Sequence, residues 1–300
     1  SDALNNSGLD AKDKNTVLII SSTKGNVALL ETEQNNAELQ KRIALSTSAK
    51  LVAEYFGFVH QPIIISNACV SGVMGIIHGM RLLRSGHYEN AVITGADVIS
   101  KFIMSGFDSF QALSPQVCRP FDQSRDGLNL GEGAATIILS TKKKYEHSIK
   151  VLGGAVSNDA NHISGPSRTG QELSYAIDQS LKDAKLSSSD IDFISAHGTA
   201  TVYNDEMEAN AIALSGLQAV PLNSLKGYYG HTLGAAGLIE SVISLQSLRQ
   251  DLILPTPGFE EAGVTQKVNV IASPMNIKAN HFLKTASGFG GCNAAVVFGK

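Results

Sequence analysis

The sequence predicts an α/β protein built on a mostly parallel sheet, and three observations point there. Short Val/Ile/Leu-rich runs alternate with longer stretches of helical periodicity. The runs are apolar without alternation, as in strands covered on both faces. Motifs of the first half also return in the second half in the same order, the mark of a duplicated unit.

The expected strands follow in chain order. Residues 16–22 (TVLIISS) are apolar between the polar AKDKN and TKG. Residues 62–66 open at Pro62 and run through three isoleucines. Residues 90–96 (NAVITGA) and 133–140 (GAATIILS) each follow a polar, Gly-containing turn. The second half adds 149–156, 191–195, 219–224 and 293–298. Helices are expected at 34–56, 70–85, 169–185, 205–215 and 233–249, where apolar residues recur at three- and four-residue spacing over lengths too great for a strand.

The internal repeat rests on three matches. ALNNSGLDAKDKNTVLIISSTKG parallels SLKDAKLSSSDIDFISAHGTA. PIIISNACVSG and its helix parallel PLNSLKGYYGHTLGAAG and its helix, and GEGAATIIL parallels GFGGCNAAVVF. The division predicted is 1–148 and 149–300. In open α/β sheets, sites form beyond the carboxyl ends of strands. The duplication therefore places the loops carrying Cys69, His197 and Lys226–His231 at one crevice.

Composition narrows the function. Hydrophobic residues make up 43% of the 300-residue chain and charged residues 17%, below the roughly 25% of an average domain. The net charge of −3, without long basic blocks, gives no support to nucleic-acid binding. Three scattered cysteines form neither a disulfide framework nor a metal-ligand pattern, which fits a reducing cytoplasm. Residues 55–80 carry no Lys, Arg, Asp or Glu. Gln61, Pro62, Ser66, Asn67 and several glycines interrupt that run, so a buried strand followed by a buried helix is expected rather than a membrane span.

Within it, Cys69 precedes a helix starting near Val70. N–H groups at such a position favour an anion and can lower a thiol pKa. By position alone Cys69 is a nucleophile or a small buried hydrophobe. His197 in AHGTAT follows an apolar strand, and His231 in KGYYGHTLGAAG follows Lys226 by five residues; each could equally be a structural histidine. SGFGGCNAA (287–295) is a tight turn or a source of backbone N–H groups with Phe289 beside it. GLNLGEG (127–133) reads as a turn before a strand.

Together these pieces resemble the elongating, Cys-His-His type of β-ketoacyl-ACP synthase, of the thiolase superfamily. The Cys at a strand–helix junction, AHGT-x-T, K-x4-GH-x-x-GAAG and GFGG-x-N occur in order, and CRPFDQSRDGLNLGEGA is similar to a further family segment. The resemblance implies a thiolase-like fold, with two pseudo-symmetric halves layered α/β/α/β/α. It implies Cys69 as the nucleophile and His197 and His231 as the pair that binds the malonyl thioester, ordered by Lys226. Thr199 and Thr201 would contact the pantetheine arm, and Asp205 and Glu208 would support the site. Phe289 would gate it and share an oxyanion hole with the Cys69 N–H. No bound cofactor is implied, because the phosphopantetheine arm arrives on the acyl carrier protein. The implied partners are that carrier and a second copy of the chain, without nucleic acid or membrane. The apolar AVITGADVI run, free of edge-protecting Lys or Pro, is the expected dimer edge.

Departures concern substrate range: NACVSG differs from the usual TACSSS-like context, and the connection between QALSP and RPFD is short and contains Cys118. His231 argues against the type with Asn at that position. Cys292 lies where a thiolase carries a second catalytic Cys, yet within GFGGCN it reads as structural. Finally, the first half opens where the second half's first helix ends. A strand and most of a helix are therefore expected upstream of Ser1, the strand lying inside the first sheet.

Overall fold

The apolar runs pair into two main sheets. In the computed structural model, which describes residues 2–300, the first holds β1 (Thr16–Ser21), β2 (Ile63–Ile65), β3 (Asn90–Asp97) and β4 (Gly133–Ser140), in the order β2-β1-β3-β4. The later strands are β5 (Lys150–Asn158), β6 (Phe193–Ser195), β7 (Pro221–Asn223), β8 (Leu252–Ile253), β9 (Asn269–Val270), β10 (Met275–Asn276), β11 (His281–Gly288) and β12 (Cys292–Gly299). β8 and β10 form a small ribbon; the others form a sheet in the order β5-β12-β11-β6-β7-β9. The two orders superimpose as β2-β1-β3-β4 on β7-β6-β11-β12, which is the repeat read in the sequence.

Helices α1 (Asp2–Ser7), α2 (Ala37–Ile43), α3 (Leu45–Phe56), α4 (Ser71–Arg84), α5 (Lys101–Ser109), α6 (Gln171–Ala184), α7 (Val202–Leu214), α8 (Lys226–Tyr229) and α9 (Ala236–Gln250) complete the chain. α4 and α9 lie between the sheets and touch each other. Side chains alternate along each strand, and in β1, β6, β11 and β12 both faces are buried, whereas β2, expected to be a buried strand, lies at the sheet edge and is only half-buried. Val17 and Ile19 of β1 enter the central core with Ile76, Leu238, Phe282 and Phe298. Leu18 and Ile20 enter an outer core with Ala49 and Ala53 of α3. Ile194, Leu283 and Val297 meet Leu173 and Ile177 of α6 and Met207 and Ile212 of α7. The result is the expected α/β/α/β/α layering.

Four further expectations need correction. The sheets are mixed rather than mostly parallel, because β3–β4, β11–β12 and β12–β5 are antiparallel. β3 is flanked by β1 and β4. It lacks Lys and Pro because it is interior, and the first sheet ends at β2 and β4. β5 lies at the edge of its sheet. A counterpart, absent from the first sheet among the described residues, would also be an edge strand. The helix expected over 34–56 breaks at Ala44, which is extended (φ −63°, ψ 132°); there the Lys41 carbonyl accepts from the Ala44 N–H (3.3 Å) and from the Thr47 hydroxyl (2.7 Å).

Candidate active site

The chain leaves β2 through a turn held by one serine. Ser71 Oγ donates to the Ala68 carbonyl (2.6 Å) and accepts from the Asn67 N–H (2.8 Å). Ala68 is forced to φ +44°, a left-handed conformation that costs a non-glycine residue about 1–2 kcal/mol. Cys69 follows at the start of α4 and is buried. A Cβ on Gly72 would come within 2.8 Å of the Leu238 backbone N–H. Only glycine lets α4 approach α9 this closely. Burial pushes the Cys69 thiol up to about 11, outweighing the nearby Lys226 ammonium. The lowered pKa expected at a helix start is thus reversed: desolvation dominates.

His197 leaves the end of β6 on a loop gripped from both sides by buried charges. Glu208 of α7 accepts from the N–H of His197 (2.8 Å) and of Gly198 (2.7 Å) with separate oxygens. Asp205 accepts from Thr199 (2.9 Å) and Ala200 (3.1 Å), and also from Phe121. On the carbonyl side, Lys284 Nζ donates to Ser195 and Ala196, both at 3.1 Å. Lys226 Nζ donates to the His197 carbonyl, and Ser224 Oγ to that of Gly198. Glu240 of α9 meets Lys226 and Lys284 at 2.6 Å each, and all three side chains are at most 1% exposed. Burial raises Asp205 to about 6 against the pull of its N–H donors, and burial lowers Lys284, offset by Glu240.

Lys226 also reaches His197 Nδ1 at 3.3 Å. An ammonium only donates, so Nδ1 is the acceptor and Nε2 carries the proton. His231 arrives from the turn after α8: its N–H donates to the Asn129 carbonyl (2.7 Å), and its carbonyl accepts from Gly131 (3.0 Å). The GLNLG segment is therefore the shelf on which the His231 loop rests, a part its turn-like composition did not reveal. Asp97, at the end of β3, ties the same loop down through the Gly234 N–H (2.8 Å) and Ser22 Oγ (2.7 Å). Neither His231 ring nitrogen has a protein partner although the residue is 1% exposed. Burial, reinforced by Lys226, lowers both imidazoles well below their ordinary value.

The repeat brings Cys69, His197 and His231 together as its strand ends foretold: one ligand atom from each lies within 4.8 Å of the others. They sit in a cavity of 380 Å³ that Thr199, Thr201 and Phe289 also line. The two threonine hydroxyls bond each other at 2.8 Å. Phe289 sits in the tight β11–β12 hairpin, where Gly288 pairs with Cys292. Its N–H faces the Cys69 sulfur. Its ring packs on Phe107 and Phe110 at 5.4 and 5.2 Å. Cys292 lies beside this centre, with Sγ 3.0 Å from Asn67 Oδ1, and Cys118 is fully buried.

What the site can do chemically follows. It offers a thiol, two neutral imidazoles and backbone N–H groups around one enclosed point. Sequence reasoning missed Glu240, Lys284, Asp97 and Phe107. A Lys inside the apolar run HFLKTASG was the available signal for a buried charge. Among the described residues, no helix is long and apolar enough to cross a membrane.

Two family models match the chain: the N-terminal domain of beta-ketoacyl synthase over residues 1–145, and the C-terminal domain over 149–260. The 3-oxoacyl-[acyl-carrier-protein] synthase 2 of Vibrio cholerae is 30% identical, the match covering 99% of this chain and 79% of that one. A Streptomyces cyaneus protein named "Putative polyketide beta-ketoacyl synthase 1" is 33% identical over 87% of this chain and 65% of its own length. The chain thus spans just under two thirds of that relative. Among solved structures, the ishigamide ketosynthase/chain length factor matches with a TM-score of 0.92 at 28% identity, over 99% of this chain and 79% of the other.

Proposed function

The chain belongs to the β-ketoacyl synthase family, and from that premise we propose that it catalyses a decarboxylative Claisen condensation, as a 3-oxoacyl-[acyl-carrier-protein] synthase of fatty acid elongation. The observation that carries the reading is the meeting of Cys69, His197 and His231 within 4.8 Å in one cavity.

The steps follow from the groups present. The Cys69 thiol is protonated at rest. His231, whose ring nitrogens have no protein partner, takes its proton as the sulfur attacks the acyl thioester of a carrier-borne pantetheine arm. The Cys69 and Phe289 N–H groups hold the oxyanion, a donor of this kind contributing about 3 kcal/mol to the barrier's lowering. The displaced pantetheine sulfur leaves with the proton. Malonyl-carrier then enters past Thr199 and Thr201. Its carbonyl oxygen receives the His197 Nε2–H and a donor from His231, and the enolate forms as CO₂ departs. The carbanion attacks the Cys69 thioester, and collapse of the adduct expels the Cys69 thiolate, which takes up one proton from solvent to restore the resting thiol, and gives the 3-oxoacyl product. Phe107, Phe110, Leu128 and Phe289, the apolar part of the cavity lining, keep water from the acyl-enzyme and the carbanion.

The partners in this reading are an acyl carrier protein, which brings the only prosthetic arm, and a second copy of the chain. A second reading, a ketosynthase of polyketide or aryl-polyene type, is favoured by the Streptomyces relative and the ishigamide structure. A chain-length-factor-like role without catalysis is disfavoured by the presence of Cys69. A cerulenin-like electrophile should label Cys69, and lack of labelling would sink both catalytic readings. Turnover of a panel of acyl-carrier chain lengths separates the two: saturated acyl chains of graded length support elongation, and refusal of all of them overturns it.

A further inference from the structure

The mechanism above uses Lys226 and leaves Lys284 without a task. Lys284 lies in the middle of β11, fully buried. Neutralising Glu240 does not require it, since Lys226 already meets that carboxylate at 2.6 Å. With Lys284 also at 2.6 Å, one carboxylate faces two ammonium groups. Burying an ammonium costs far more than burying an apolar side chain of the same volume; Glu208 also acts on Lys284 from a distance, but a second buried lysine on one carboxylate calls for a use.

Its geometry supplies one. Lys284 Nζ grips the carbonyls of Ser195 and Ala196, and Lys226 grips the next, that of His197. Two lysines thus hold three consecutive carbonyls of the segment that delivers His197, and Glu240 fixes the spacing between them. We propose that Lys284 is a positioning residue of the condensation site: it anchors the carbonyl side of the His197 loop and pins Glu240, so that Lys226 points at His197 Nδ1 and Nε2–H is presented to the thioester. This rests on the reading of the two histidines as neutral donors.

The charged and titratable groups facing His197 are Cys69 and His231 across the cavity, Lys226 and Lys284 behind it, and Glu208 beneath its backbone. Glu240 stands between the lysines. Removing one cation from this set moves the imidazole titration upward. Loosening the loop slows the step that needs an oriented donor, and a misplacement of this size costs about tenfold to a hundredfold.

The test compares wild type with Lys284→Met and Lys284→Arg. NMR titration of the imidazoles should find His197 neutral throughout the mildly acidic range in wild type and titrating at higher pH in Lys284→Met. Malonyl-carrier decarboxylation should fall about tenfold or more in Lys284→Met, with KM for the acyl donor unchanged, and Lys284→Arg should restore most of it. An unmoved His197 titration together with wild-type decarboxylation overturns the proposal, as does wild-type His197 titrating at its ordinary value. Should Lys284→Met not fold, Lys284→Gln is judged by the same two readouts. If wild type itself decarboxylates no malonyl thioester, the functional reading fails, and the imidazole titrations still decide the role of Lys284.

Discussion

The loops after β2 and after β6 hang from the same sheet scaffold, yet they hold their reactive residues by opposite means. The Cys69 turn has no charged side chain in its sequence and is fastened by one serine and a left-handed alanine. The His197 loop is gripped by two carboxylates on its N–H side and two ammoniums on its carbonyl side. The difference fits the tasks proposed above for the two residues. A sulfur that carries an acyl chain needs a dry, apolar wall and little directionality. An imidazole that must donate from one nitrogen needs a fixed tautomer and a backbone that does not yield.

Changes that break either loop should reveal this division, beginning with the largest effect. Cys69→Ala should cut condensation by about 10⁴-fold or more, as loss of a nucleophile does, measured by product formation from acyl- and malonyl-carrier. His231→Ala should lower malonyl decarboxylation by about 10²–10³-fold, with acylation of Cys69 still measurable because the thiol and the Cys69 and Phe289 N–H groups remain; decarboxylation at the wild-type rate would show the role to be wrong. Glu240→Gln leaves two buried ammoniums without their direct carboxylate partner and should destabilise the fold by about 3–5 kcal/mol in denaturant unfolding.

Acidification probes the same loop. Both imidazoles are held below 6.5 by burial. As pH falls through that value the unfolded chain takes up two protons that the folded chain does not, so stability falls. Asp205, raised to about 6, opposes this with one proton bound in the folded state. Two protons against one leave a net loss of stability as pH falls below about 6.5, and His197→Ala should flatten it. A slope identical in wild type and variant would contradict the buried neutral pair. Ser71→Ala, in the uncharged loop, removes two local hydrogen bonds and should cost only about 1–2 kcal/mol by the same unfolding measurement; a loss equal to that of Glu240→Gln would erase the contrast between the loops.

Legibility in the sequence follows the same line. Apolar runs gave β1, β3, β4 and β12 within a residue or two, because an unbroken Val/Ile/Leu run has few other uses. β11 was missed because His281 and Lys284 make HFLKTASG look half-exposed, whereas Lys284 is buried on its ion pair with Glu240. Cys69, His197, His231 and Lys226 were recognisable by motif and by the repeat. The hold on them was not: Asn129 and Asp97 act through loops distant in sequence, and Glu240 is an ordinary helical glutamate until α9 packs between the sheets. Edge and interior strands were confused in β3, since absence of Lys and Pro describes both a sticky edge and a covered strand.

In the proposed function Cys69 carries the acyl chain and the histidine pair turns a malonyl unit onto it. Intact mass and peptide mapping of the protein after incubation with acyl-carrier, before and after malonyl-carrier is added, test this most directly. The prediction is one acyl group on the peptide containing Cys69, which disappears when malonyl-carrier is added and is recovered on the carrier as the 3-oxoacyl thioester. An acyl group on another residue, or one on Cys69 that malonyl-carrier cannot discharge, would contradict it.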